Sequence, residues 1–419
     1  MKKNENVIFT IIAQNYIGYA MTLGKSLRKS NPELDFFIYF ADGISIEIEK
    51  LLNEYNFHGI DVLKMNARDT LLQMAFYYDV TEYCTSVKPF VISELMDKGY
   101  KTVTYIDPDI YVYGSLVSTV IADLEHSNIV LTPHICSPIQ DNYEPKEQVH
   151  LYSGTYNLGF IAIKNNTVSK SFVDWWIDKC HESCFADPIN GLFVDQKWIN
   201  LVPGMFEGVH ISRHLGLNIA YWNLHERKVV DGKINNQHDL IFFHFSGFVT
   251  KDINCISKYQ NRYTLEDRDD LYPYFENYKN EFDSVVSRLP TLPMYKFLKY
   301  STGAKISLLA RRFYFWNKDT MENPLLNEKA EQIFLLALKK NGINEEMQDT
   351  SISEPSKINR TARIINTVLR LLQQIIGPNK YLSLCRYFGY LSSINNQKFL
   401  MKDYRDIDVV DENRKHIKR

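Results

Sequence analysis

The first half of the chain alternates short apolar runs with stretches in which apolar residues recur at helical spacing. The run VIFTIIA at 7–13 is apolar and β-branched, the composition of a strand buried on both faces. It gives way to YAMTLGKSLRKS, where Met21, Leu23 and Leu27 fall at helical spacing. DFFIYFAD at 35–42 predicts a second strand, SIEIEKLLNEY a helix, and IDVLKM a third short strand. SVKPFVISELMDKGY predicts a helix opened near Pro89 and closed by Gly99, followed by a strand over KTVTYID. Strands separated by helices of this length predict an α/β fold with a mostly parallel, doubly wound sheet. In such sheets ligands gather outside the carboxyl ends of the strands.

One strand end carries unexpected charge. In YIDPDIYVY, 105–113, two carboxylates one residue apart interrupt an apolar, β-prone run. Asp107 and Asp109 at such a place suit a hard divalent cation, since Mg²⁺ and Mn²⁺ take oxygen ligands and complete their shells with water and substrate phosphates. Pro108 stiffens the turn between them. The plainer reading is a surface turn, where Asp and Pro are common. A phosphatase-like nucleophile is disfavoured, because Asp109 runs straight into IYVY, which reads as continued strand.

Three later stretches add polar groups at element ends. YSGTYNLGFIAIK, 152–164, places Gly154, Asn157 and Gly159 before a strand. GLFVDQKWINLVP, 191–203, sets Asp195 and Gln196 at a helix start, and LIFFHFSGF, 240–248, ends a strand with His244 and then Gly247. A histidine behind an apolar run is most often a core residue; at a strand end it is also where a third metal ligand would reach an ion.

Composition changes the picture little. The 419 residues are 45% hydrophobic, enough for more than one domain, and 13% are aromatic. With 48 Lys+Arg against 50 Asp+Glu there is no global field for nucleic acid. The balance hides an asymmetry, because residues 291–419 hold 22 basic and 13 acidic residues. The N-terminal MKKNENVIFTIIAQNY reads as a first strand and not a signal peptide, and no apolar run reaches the roughly 20 residues of a membrane span. Six cysteines are scattered; Cys180, His181 and Cys184 lack a second ligand pair at zinc spacing, so reduced structural thiols and a cytoplasmic location are expected.

After residue 265 the pattern turns helical. DDLYPYFENYKNEFDSVVSRL spaces its tyrosines as a helix does, and NGINEEMQDTSISEPSK, 341–357, reads as a polar linker. Beyond it KINRTARIINTVLRLLQQII repeats apolar residues at Ile358, Ala362, Ile365, Leu369, Leu372 and Ile376, with Arg360, Arg363 and Arg370 off that stripe. Such a helix docks on its own core or a second copy, making a homo-oligomer, or lies on an anionic membrane surface. For an acceptor, the long stretch 133–152 offers His134, Asp141 and Tyr152, and Asn218, Tyr221, Trp222 and Asn223 form a polar–aromatic row that serves either sugar stacking or core packing.

Taken in order, YIDPDI, YNLGFIAI, FVDQKW and FFHFSGF resemble bacterial GT-A glycosyltransferases related to the glycogenin and lipopolysaccharide galactosyltransferase family, over about residues 5–265. The resemblance implies a GT-A domain over 1–265; the residue pattern beyond it divides into a helical extension over 266–340, the linker 341–357 and a basic helical region over 358–419. It implies a nucleotide-sugar donor, a UDP-sugar by preference, a glycan, glycoconjugate or lipid-linked acceptor, and Mn²⁺ or Mg²⁺. On that pattern Asp107 and Asp109 bind metal and donor diphosphate, His244 is the third ligand, and the backbone at Gly247 lies near the phosphates. Asp195 and Gln196 match the pair facing the donor sugar, with Gln196 near the anomeric carbon in retaining members. Asn157 belongs to the donor pocket, Lys88 sits where relatives carry a basic donor-binding residue, and Asn15 and Tyr16 follow the first strand, where the nucleoside is held. Two departures stand out: Gln14 occupies the place of an acid near the base, and no lysine directly follows the His-Phe-x-Gly pattern, leaving Lys251 or Lys258 as substitutes. The alternative function is a catalytically silent relative that binds sugar nucleotides or glycans. Retention of all four of Asp107, Asp109, Asp195 and His244 favours the enzyme.

Overall fold

The computed structural model of the protein describes residues 4–343, 345 and 360–402. The chain divides into two compact units, with the break after Leu298. In the first, a seven-stranded sheet is built from β1 (Asn6–Ile12), β2 (Asp35–Phe40), β3 (His58–Asp61), β4 (Thr102–Ile106), β6 (Ile129–Pro133), β7 (Tyr156–Lys164) and β8 (Val209–Ile211), in the order β3-β2-β1-β4-β7-β6-β8; β5 (Ile110–Val112) stands apart from it. Neighbours are parallel except around β7, which runs antiparallel to both β4 and β6. The mostly parallel α/β sheet read from the sequence is therefore the one observed. Its third strand is shorter and earlier than expected: the Asp61 carboxylate accepts the Leu63 N–H at 2.9 Å and winds Val62–Lys64 into a 3₁₀ turn.

Alternation along β1 separates two cores. Ile8 packs with Leu23 and Leu27 of the Ile17–Ser30 helix and with Ile106, Val130 and Phe160. Phe9 faces the other way, against Tyr39 and Tyr105, where the Lys88–Asp97 helix lies over the sheet. Every residue of β4 is buried, as a central strand covered on both faces requires.

The run YIDPDIYVY is not one strand. β4 ends at Ile106, where the Asp107 N–H makes a last ladder bond to Gly159 O at 2.8 Å. Pro108 has no N–H to give, and Ile110 N–H turns back to Asp107 O at 3.2 Å. β5 then leaves the main sheet. After a small sheet of β9 (Val229–Val230), β10 (Lys233–Ile234) and β11 (His238–Asp239), the chain returns as β12 (Phe242–His244) and pairs antiparallel with β5. Phe243 and Phe245 point into an aromatic cluster with Phe275 and Tyr278, the Phe245 and Tyr278 rings stacking at 3.9 Å. The Tyr272–Val286 helix that carries this cluster is tied to the Ile17–Ser30 helix by Lys25–Glu281 at 2.6 Å.

The second unit contains the helices Leu308–Asn317, Glu328–Lys340, Arg360–Ile376 and Pro378–Leu391. Phe334 sits among Tyr300, Phe313 and Tyr314. Most of the expected linker 341–357, and residues 403–419, lie outside the described residues.

Candidate active site

The register of β5 on β12 assembles the acidic turn and the histidine. His244 pairs with Ile110, and Phe245 N–H bonds Asp109 O at 2.9 Å, so the imidazole stands beside the carboxylates. His244 Nε2 lies 3.1 Å from Asp109 Oδ1 and 3.7 Å from Asp107 Oδ2. Among the described residues these three form a compact ligand set, with ligand atoms within 4.8 Å of one another. His244 is 4% exposed, while the two acids remain partly open to solvent.

Their chemistry fits a hard or borderline divalent ion, which takes carboxylate oxygen and neutral imidazole. Two further observations support the fit. His244 Nδ1 faces Asn218 Oδ1 at 3.3 Å; an N–H donated there leaves the Nε2 lone pair aimed at two carboxylates, an arrangement that calls for a cation between them. Burial alone would lower the His244 pKa, yet Asp109 and Asp107 outweigh it and raise it, so the same field that holds a proton would hold a metal. The second observation is Gly159. A Cβ there would meet His244 Cε1 at 2.5 Å and Asp107 Oδ2 at 2.7 Å, so only glycine lets strand β7 run this close beneath the cluster.

Behind the cluster runs a buried chain of amides. Asn218 Nδ2 donates to Asn157 Oδ1 at 3.0 Å and to Thr132 Oγ1 at 2.9 Å, and Asn157 Oδ1 also accepts Gly159 N–H at 3.1 Å. Asn157 Nδ2 donates to His134 Nε2 at 3.2 Å, while His134 Nδ1 faces Thr155 O at 3.2 Å. That fixes His134 as a neutral tautomer, and burial, with His150 stacked 4.9 Å away, lowers its pKa to about 3.

On the other side of Asp107, Tyr105 donates its hydroxyl to Oδ1 at 2.5 Å, and Lys88 Nζ lies 4.3 Å from the centre of that ring. Lys88 pairs with Asp195 at 2.9 Å and donates to Leu158 O at 2.9 Å. Burial would lower the Lys88 pKa, but Asp195 and Asp107 raise it above the ordinary lysine value. Burial also raises the Asp195 carboxyl, offset in part by Lys88. Val194, just before Asp195, has φ +43°, a left-handed conformation costly for a β-branched residue. Gln196 opens the following 3₁₀ helix as expected; its Oε1 accepts Leu158 N–H at 2.9 Å and its Nε2 donates to Ser153 O at 3.1 Å.

At the first strand's end, Asn15 and Tyr16 are exposed, Tyr16 by 49% and stacked on Tyr19 at 5.2 Å. Tyr16 has its pKa raised by burial and by Asp109, and feels Lys258 in the opposite sense, so the turn borders the acidic cluster. Gly247 has φ +71°, and its carbonyl accepts Lys258 N–H at 3.0 Å. Of the two substitute lysines, Lys258 is the one tied to Gly247. The acid absent at Gln14 has a spatial neighbour that the sequence pattern did not single out: buried Asp42, at the end of β2, accepts Gln14 N–H at 2.9 Å.

The row 218–223 serves the core. Trp222 is buried with its ring edge-on to His244 at 5.2 Å, and Asn223 Nδ2 donates to His134 O and Asn218 O at 3.0 Å. Of the acceptor candidates in 133–152, His134 is buried, Asp141 is held bidentate by Arg262, and Tyr152 is exposed. Asn218, Gly159 and Tyr105 are the neighbours of the cluster that residue patterning did not assign to it. Asn218 has φ +53°, in the left-handed region where Asn is enriched.

No family model matches the chain. The uncharacterized protein YfnF of Bacillus subtilis strain 168 is 27% identical over 293 residues, which cover 68% of this chain and 93% of YfnF. Among solved structures, the galactosyltransferase LgtC in complex with donor and acceptor sugar analogs is 16% identical, with 68% of this chain and 97% of LgtC covered and a TM-score of 0.38. The glycosyltransferase GlyE of Streptococcus pneumoniae TIGR4 is 14% identical, with 74% and 73% covered and a TM-score of 0.39. At these levels the chemistry rests on the side chains themselves.

Proposed function

We propose that the protein is a metal-dependent glycosyltransferase that moves a sugar from a nucleotide-diphosphate donor, a UDP-sugar by preference, to a glycan, glycoconjugate or lipid-linked acceptor, with retention at the anomeric carbon. The observation that carries this reading is His244 Nε2 within 3.1 Å and 3.7 Å of two carboxylates over a glycine floor. Asp107, Asp109 and His244 would hold Mn²⁺ or Mg²⁺, which when bound supplies Lewis-acid neutralisation of the diphosphate leaving group.

The chain's own groups act around it. Tyr16 offers an exposed ring for the base, and Lys258, whose backbone N–H bonds Gly247 O and whose ammonium lies 4.9 Å from the Tyr259 ring centre, would offer charge to the phosphates. Lys88 pairs with Asp195 at 2.9 Å and works against the upward pull of burial on its carboxyl, which would leave it placed to accept donor-sugar hydroxyls. Gln196 is held by two backbone bonds, which supports a fixed dipole facing oxocarbenium character without reorganisation. Acceptor attack on the face the diphosphate leaves, with the departing phosphate oxygen taking the acceptor's hydroxyl proton, then gives retention without a dedicated carboxylate base. The six thiols are free, which fits a reducing cytoplasm.

Hydrolysis of UDP-hexoses, measured with and without Mn²⁺, tests the proposal. Turnover should need the ion and fall about 100-fold or more in Asp109→Asn, the scale of losing one preorganised electrostatic contact. Absence of both turnover and a thermal shift across a panel of nucleotide sugars sinks it.

A further inference from the structure

The C-terminal unit leaves an apolar stripe bare. In the Arg360–Ile376 helix, Ile364, Val368, Leu371 and Ile375 follow at intervals of four, three and four residues and share one face. All four are exposed, Ile375 by 81%. Leu369, Leu372 and Ile376, on the adjoining face, are half-buried, and the helix packs against Pro378–Leu391. The hairpin thus covers one side of the apolar face and not the other. Phe388 and Phe399 add exposed rings nearby in sequence. A contiguous apolar surface of this kind marks a place where something docks.

Charge says what. Residues 360–402 contain seven Lys and Arg and no Asp or Glu. Arg370, Lys380, Arg386 and Lys398 are exposed. A second copy of the hairpin would bring like charges together with no carboxylate to meet them, and a nucleic acid has no use for the aliphatic stripe. No helix among the described residues is long and apolar enough to cross a membrane. We propose that this hairpin lies in the headgroup layer of an anionic bilayer, with Ile364, Val368, Leu371 and Ile375 turned into the acyl boundary and the cations on the lipid phosphates.

This inference goes beyond sugar transfer and is tested apart from it. The full chain is sedimented with phosphatidylcholine vesicles, with and without phosphatidylglycerol. It should pellet with the anionic vesicles and bind them about tenfold or more weakly after Arg370→Glu/Lys380→Glu/Arg386→Glu or in high salt. Val368→Gln/Leu371→Gln/Ile375→Gln, at exposed positions where helix propensity is kept, should lose a comparable factor. Donor hydrolysis in lipid-free solution should stay at the unaltered protein's level in both variants, which separates a failed anchor from a failed enzyme. The proposal is overturned if the chain pellets with neither vesicle or if the glutamine variant pellets as well as the original. It is also overturned if the chain is a dimer that the glutamine substitutions dissociate.

Discussion

Gly159 decides how closely the imidazole of His244 and the Asp107 carboxylate can meet over strand β7. Adding one methyl there puts carbon 2.5 Å from His244 Cε1 and 2.7 Å from Asp107 Oδ2, so one of the two must move. Gly159→Ala should weaken Mn²⁺ binding by roughly 10–100-fold, the range for groups that orient metal ligands, as read by calorimetric titration. A variant that binds Mn²⁺ with unchanged affinity would show that the floor does not set the geometry. His134 supports a second expectation. Its folded pKa, about 3, lies below the ordinary histidine value, so the fold keeps it neutral while the unfolded chain protonates it. The stability tied to it is whole above pH 6.5 and drains as pH falls toward 3, at about 1.4 kcal/mol per pH unit. His150, lowered to about 4, adds in the same sense over a narrower window. Urea unfolding from pH 7 to 5 should show this slope, and His134→Gln should shed the part that His134 contributes. The members of the Asp107–Asp109–His244 cluster were each legible as candidates, because carboxylates and a histidine at strand ends are unusual. Asn218 was not, since an amide that orients a ring looks like any other Asn until the ring is beside it.

Between elements, the Lys88–Asp195 pair joins the Lys88–Asp97 helix to the turn before Gln196 across β7, where Leu158 O accepts the third contact. Lys88→Met leaves the Asp195 charge buried without a partner and should destabilise by about 3–5 kcal/mol. The double variant Lys88→Met/Asp195→Leu should recover much of that loss, and urea denaturation of the parent, both single variants and the double measures the coupling. Equal stability of single variant and parent would show that the pair is not closed in solution. The sequence announced most elements here, because β-branched runs, caps and helical spacing are local signals. Ser45 caps Ile46–Glu54 by accepting Ile48 N–H, whereas the Val80–Ser86 helix, opened by an Asp79–Glu82 capping box, was not among the elements read from the sequence. The split of YIDPDIYVY into β4 and β5 was illegible, because the partner that draws β5 away is β12, some 130 residues later in the chain. Pro108 was the one local sign of a break.

For the molecule as a whole, an ion that binds only the folded site should raise its stability. Mn²⁺ at about 100 times its dissociation constant should add about 2.7 kcal/mol. Chelation should remove the gain, and Asp107→Asn/His244→Ala should show none; a thermal shift of equal size in that variant would place the ion elsewhere. The class of sheet followed from composition and order, whereas the break after Leu298 had no counterpart in the pattern, since Tyr272–Val286 reads as helix wherever it packs. The pairing of β5 with β12 also sets a timetable for the nascent chain. The two aspartates leave the ribosome long before the histidine, and the ribbon that unites them cannot zip until the residues of β12 follow. The proposed ion site would stay incomplete until β12 emerges, and a polypeptide cut short before position 244 would carry the acidic turn without its histidine.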